Sequence, residues 1–145
     1  MTRPIAADRG RRAALLLCGG MALAIALRAL GADAPAGVDW TAAQVVRVEL
    51  VDERFVPDKL TFRAGVAYRL HLENTGTEMH EFTAPEFFRS VTLRNPEVLD
   101  VPLREVSLQP NQSRDVYFIP RVAGRYQLTC ADHDWAGMVG EITVE

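Results

Sequence analysis

Two residue types are nearly missing from this 145-residue chain: lysine occurs once, as Lys59, and cysteine twice, as Cys18 and Cys130. Each scarcity excludes something. The 16 basic residues are outnumbered by 19 acidic ones, so there is no basic stripe of the kind that nucleic acid requires. With so few cysteines, no disulfide framework can staple the fold. An unbroken apolar run of about 20 residues, the length of a membrane span, is also lacking. Residues 13–27 (AALLLCGGMALAIAL) fall short, and Arg28 interrupts them. Repeats, low-complexity tracts and a long amphipathic helical pattern are absent as well, which leaves strand alternation as the organising signal.

That short apolar run has its own meaning. Arg3, Arg9, Arg11 and Arg12 precede it, and the small residues ALGADAPAG follow it. A basic region, a greasy run and small residues, in that order, mark a secretory signal peptide. Residues 1–36 are therefore assigned to it. A cut after Ala34 would place Pro35 next, so cuts after Gly31 or Ala36 compete. An uncleaved anchor helix is the alternative, and only in that case does the protein touch a membrane. Lipidation at Cys18 is disfavoured by the bulk of Leu17, and Arg11-Arg12 leaves twin-arginine export as a variant route. The expected location is the periplasm or another exported compartment.

Removing residues 1–36 leaves 11 basic and 17 acidic residues, a net charge of −6, and Cys130 as the sole cysteine. A lone thiol in an oxidising compartment is exposed to oxidation unless it is buried, paired or metal-bound.

The remaining chain, residues 40–145, alternates like a β-protein. Val46, Val48 and Leu50 share a face in 44–52; Val66, Tyr68, Leu70 and Leu72 share one in 66–74. Residues 114–119, 124–130 and the terminal MVGEITVE behave alike. Turn signals at Ala64-Gly65, Asn74-Thr75-Gly76, Gln109-Pro110-Asn111 and Ala123-Gly124 separate the runs. Short strands so spaced predict an all-β, antiparallel sandwich. Residues 84–106 interrupt the pattern with three prolines; a short helix over 86–91 and a packed excursion after it are expected there.

The chemistry concentrates in YQLTCADHDWAGMVG, residues 126–140. Tyr126, Leu128 and Cys130 project to one face of a strand, and Met138, Gly140, Ile142 and Val144 to one face of the next. Cys130 and Met138 therefore face the interior from opposite sides of a loop carrying His133. His80, which shares a face with Phe82, supplies a fourth donor. Two imidazoles, a thiolate and a thioether suit copper in a trigonal His₂Cys plane with a long axial Met. Asp132 and Asp134 flank His133 as solvating groups or imidazole acceptors. Met79 is a weak reserve, and His71 lies in a solvent-facing row.

On these residues the chain resembles the cupredoxins, the small blue copper proteins of the plastocyanin and azurin type. The resemblance rests on FVPDKLTFRAG (55–65), NTGTEMHEF (74–82), LQPNQSRDVYF (108–118) and YQLTCADHDWAGMVGEITV (126–144). It implies a Greek-key β-sandwich with one copper at one end, bound by His80, Cys130, His133 and Met138. It implies too a monomeric carrier of single electrons between redox protein partners, and not an enzyme. His133 is expected nearest the surface, with Trp135, Ala136 and Gly137 as the docking patch. Where many members place Asn after the first ligand histidine, this chain has Glu81. Two alternatives follow: a periplasmic copper-binding protein for sequestration or delivery, and a nitrosocyanin-like copper enzyme with Glu81 in the coordination sphere.

Overall fold

The computed structural model describes residues 37–102 and 104–145; the predicted signal segment, 1–36, lies outside them. In chain order the strands are β1 (Gln44–Val51), β2 (Arg54–Val56), β3 (Lys59–Phe62), β4 (Tyr68–Asn74) and β5 (His80–Thr83). They continue as β6 (Val91–Leu93), β7 (Glu105–Leu108), β8 (Ser113–Pro120), β9 (Gly124–Thr129) and β10 (Val139–Val144). They form two five-stranded sheets, β2-β1-β4-β8-β6 and β3-β10-β9-β5-β7.

The alternation read from the sequence is the alternation observed. Val48, Leu50, Tyr68, Leu70 and Leu72 of the first sheet are buried against Phe82, Leu128, Ile142 and Val144 of the second. The antiparallel expectation needs one amendment: β1 runs parallel to β4, and β3 parallel to β10. After β1 and β2 the chain crosses to the second sheet for β3 and then returns. It therefore enters β4 from the same end as β1. Such crossings are the Greek-key element of the sandwich.

Residues 84–106 are a packed excursion, as their apolar content demanded. A five-residue helix, α1 (Pro85–Arg89), replaces the expected 86–91. Pro85 suits a first helical turn, where its missing N–H is no loss. Ser90 closes the other end, its hydroxyl donating to the Phe87 carbonyl at 2.8 Å. The helix drives Phe87 and Phe88 into the core, where Phe87 meets Phe62, Phe118 and Tyr126 at ring-centroid distances of 5.2–5.7 Å. β6 then adds to the edge of one sheet and β7 to the edge of the other. The excursion thus closes the open side of the sandwich and covers two edges that would otherwise be bare.

Candidate metal centre

Three strand ends converge at one end of the second sheet. Val139 pairs with Thr129 in the β9–β10 ladder, and one residue further the Cys130 N–H donates to the Met138 carbonyl at 3.0 Å. Cys130 and Met138 therefore stand opposite each other, on the face of Leu128 and Gly140, and both are fully buried. The loop between them is one short helical turn, Asp134–Ala136. It ends at Gly137, whose φ of +95° is the left-handed conformation that glycine adopts without a Cβ penalty. His133 is held by its N–H to the Cys130 carbonyl at 3.2 Å, and its own carbonyl accepts from Ala136 and Met138.

His80 opens β5 and is delivered by the turn before it. Asn74, fully buried, donates to the carbonyls of Glu78 (2.7 Å) and Leu108 (2.8 Å) while its Oδ1 accepts from the Gly76 N–H at 2.9 Å. This is the local hydrogen bonding that makes Asn a turn residue. A Cβ at Gly76 would lie 2.5 Å from Asp52 Oδ1 and 3.0 Å from His80 Nε2. Only glycine leaves the two their present separation.

Three of the four predicted residues, His80, Cys130 and His133, bring their ligand atoms together, and Met138 is buried across the ladder from Cys130. His80 Nδ1 lies 3.9 Å from Cys130 Sγ and His133 Nδ1 lies 3.4 Å from it. One ligand atom from each of His80, Cys130 and His133 falls within 4.8 Å of the others. Donors bound to one ion at about 2.0–2.3 Å each stand roughly 3–4 Å apart, so this set is spaced to share one soft metal ion. The imidazole planes are 63° apart, and both present Nδ1 to the sulfur. His80 is 1% exposed and His133 15%, so the latter is the nearer to the surface, as expected.

Glu81 is buried at 3% exposure and lies against the sulfur. Its N–H donates to Sγ at 3.4 Å. Its Oε2 accepts from the Cys130 thiol at 2.9 Å and from the Asp132 N–H at 3.3 Å. The carboxylate thereby ties β5 to the ligand loop, and it stands outside the mutually close set of His80, Cys130 and His133. Burial, with the Glu81 carboxylate beside it, pushes the Cys130 thiol up to about 11. In the absence of metal the sulfur is thus held as a thiol, and a metal that binds it must displace the proton.

Two residues that the sequence reading passed over face the outer nitrogens. His133 Nε2 is 3.0 Å from Glu78 Oε2, and His80 Nε2 is 3.7 Å from Asp52 Oδ1. The flanking Asp132 and Asp134, suggested by proximity in sequence, make no bond to either imidazole among the described residues; Asp132 instead gives its carbonyl to Trp135 Nε1 at 2.8 Å. Trp135 is 80% exposed beside the His133 loop. His71 lies on the outer face, its Nδ1 2.8 Å from Asp115, away from the centre. The only sequence signal for Asp52 and Glu78 was their place at strand ends next to a turn.

Comparison with known proteins agrees with this construction. The Cupredoxin-like domain family matches residues 20–144. No curated protein matches the chain. Among solved structures, the dithionite-reduced auracyanin of Roseiflexus castenholzii is 16% identical at a TM-score of 0.54, over 72% of this chain and 98% of that one. Auracyanin B is 22% identical at 0.55, over 74% and 93%. A multicopper oxidase from Campylobacter jejuni is 12% identical at 0.53, over 70% of this chain and 30% of its own. At these identities the likeness is one of fold.

Proposed function

Since this chain belongs to the cupredoxin family, we propose that it is an exported carrier of single electrons whose copper is held by His80, Cys130, His133 and Met138. The observation that carries this reading is the convergence of two Nδ1 atoms on one buried thiol, with a buried methionine directly across the ladder. Copper supplies the one-electron Cu(II)/Cu(I) couple. The protein's part is to keep the donors where they are. Cys130 is fixed by the β9–β10 ladder, His80 by the Asn74 turn and His133 by its loop hydrogen bonds. Donors so held need move little when the charge on the metal changes.

A fold of this kind also occurs in a multicopper oxidase, so architecture alone does not separate carrier from enzyme. The site favours the carrier. Four protein donors leave no position for substrate, and the one thiol nearby, Cys130, is itself a donor to the metal in this reading. Glu81 engages the sulfur from outside the close set, which weighs against its serving as a ligand in a nitrosocyanin-like enzyme. Copper delivery uses the same donors and is separated by behaviour: a carrier exchanges electrons and keeps its ion, whereas a delivery protein surrenders the ion to its partner.

Residues 40–145 form the copper domain in this reading, and residues 1–36 export or anchor it. Electrons leave by the edge of His133, with exposed Trp135, Ala136 and Gly137 forming the surface that a redox protein docks on. The test is the visible spectrum of the Cu(II)-loaded domain, with Cys130→Ser as control. An intense thiolate-to-copper band, lost in the variant, is expected. A folded wild-type domain without such a band would overturn the assignment, and a shifted, red-type spectrum would return Glu81 to the coordination sphere.

A further inference from the structure

Both imidazoles of the centre turn Nδ1 inward to the sulfur and Nε2 outward, and each Nε2 faces a carboxylate carried by a different turn. Glu78, from the β4–β5 turn, places Oε2 3.0 Å from His133 Nε2. Asp52, from the β1–β2 turn, places Oδ1 3.7 Å from His80 Nε2, a buried nitrogen with no hydrogen-bond partner of its own. That separation exceeds a direct hydrogen bond, so Asp52 acts on His80 as a close negative charge. A hollow of about 120 Å³, lined by Asp52, Thr77, Glu78, His80 and His133 among others, lies between them. It is large enough to admit water.

Asp52 is not there by chance. The Thr77 N–H donates to its Oδ1 at 2.8 Å, and the missing side chain of Gly76 leaves it room against His80. Glu78 has its carbonyl fixed by Asn74 Nδ2. The same Asn74 turn that delivers His80 therefore also sets the carboxylate over His133.

We infer that Glu78 and Asp52 are positioning residues for the copper centre, holding His133 and His80 with Nε2–H outward and Nδ1 bare, and feeding negative charge into both rings. The inference rests on the copper reading above. An imidazole whose outer N–H is given to a carboxylate is fixed in tautomer and orientation and becomes a more basic donor. A more basic donor favours the more highly charged metal, so the two carboxylates bias the centre toward Cu(II). Glu78 dominates, because its contact is direct.

The experiment has two arms, and the first needs no metal. Nitrogen-15 NMR of the metal-free protein reads the His133 tautomer directly. The Nε2–H form is expected in wild type and in Glu78→Gln, which keeps an acceptor oxygen. A mixture of tautomers is expected in Glu78→Ala. In the second arm, Cu(II) affinity in Glu78→Ala should fall about tenfold with Cu(I) affinity less affected. For a one-electron couple, each tenfold of that difference raises the reduction potential by about 59 mV. Glu78→Gln should shift the potential in the same direction while keeping the tautomer, because it removes only charge. Asp52→Asn should give a smaller shift of the same sign.

An unchanged tautomer and potential in Glu78→Ala, with the thiolate band intact, would overturn the inference and leave the copper reading standing. Absence of the band in wild type would remove the copper reading first. The tautomer arm would then still decide whether Glu78 orients His133.

Discussion

Cys130 illustrates how one residue's surroundings set its chemistry. The thiol is buried, and Glu81 accepts its proton, so it resists ionisation up to about pH 11, against 9.0 for an ordinary thiol. In the unfolded chain the thiol ionises first. Between pH 9 and 11 the unfolded state therefore holds fewer protons, and the metal-free domain loses stability as pH rises, by up to about 2 kcal/mol. Denaturant titrations across that window should show the slope, and Cys130→Ser should abolish it. Gly76 makes the complementary case, a residue needed for what it lacks. A methyl group there meets Asp52 and His80, so Gly76→Ala should cost about 1–3 kcal/mol in thermal or denaturant unfolding. The four proposed donors stood out in the sequence because metal-seeking side chains at β-strand spacing are rare by accident. Asp52 and Glu78 were not, since an acidic residue beside a turn is indistinguishable from a solubilising one until the imidazole is seen across from it.

At the level of elements, the centre depends on three pieces being locked together: the β9–β10 ladder, the Asn74 turn, and β5 with its Glu81 tie. Helix α1 lies outside this assembly and serves the core. Truncating Phe87, fully buried among Phe62, Phe118 and Tyr126, should cost about 3–5 kcal/mol. Phe87→Ala should therefore lower the denaturant midpoint sharply while the folded fraction keeps its thiolate band. Loss of the band in protein that is still folded would mean that the excursion shapes the centre and does not merely seal the sandwich. A short helix was readable in the sequence, although over 86–91 and not Pro85–Arg89. The edge strands β6 and β7 were not, because three or four residues carry too little alternation to be told from loop.

For the whole molecule, metal binding and folding are linked. The proposed donors come from β5 and from the connection between β9 and β10, and only the folded state assembles them. Copper should therefore raise the melting temperature, by an amount corresponding to about 4 kcal/mol when free metal is a thousandfold above its dissociation constant. A chelator should reverse the shift, and Cys130→Ser should shrink it. A shift of equal size in Cys130→Ser would show that the ion binds elsewhere.

The sequence alone determined the two-sheet class, the inward faces of the main strands and the choice of the four residues proposed as donors. All three follow from the period-two geometry of a strand, which assigns each side chain to a face without reference to any distant segment. What only the tertiary structure decided is of another kind. It set β1 parallel to β4, laid Glu81 against the sulfur, and aimed Asp52 and Glu78 at the outer edges of the two imidazoles. Those arrangements join residues 24 to 55 positions apart, and contacts at that separation are fixed by how the sheets pack. No local pattern records them.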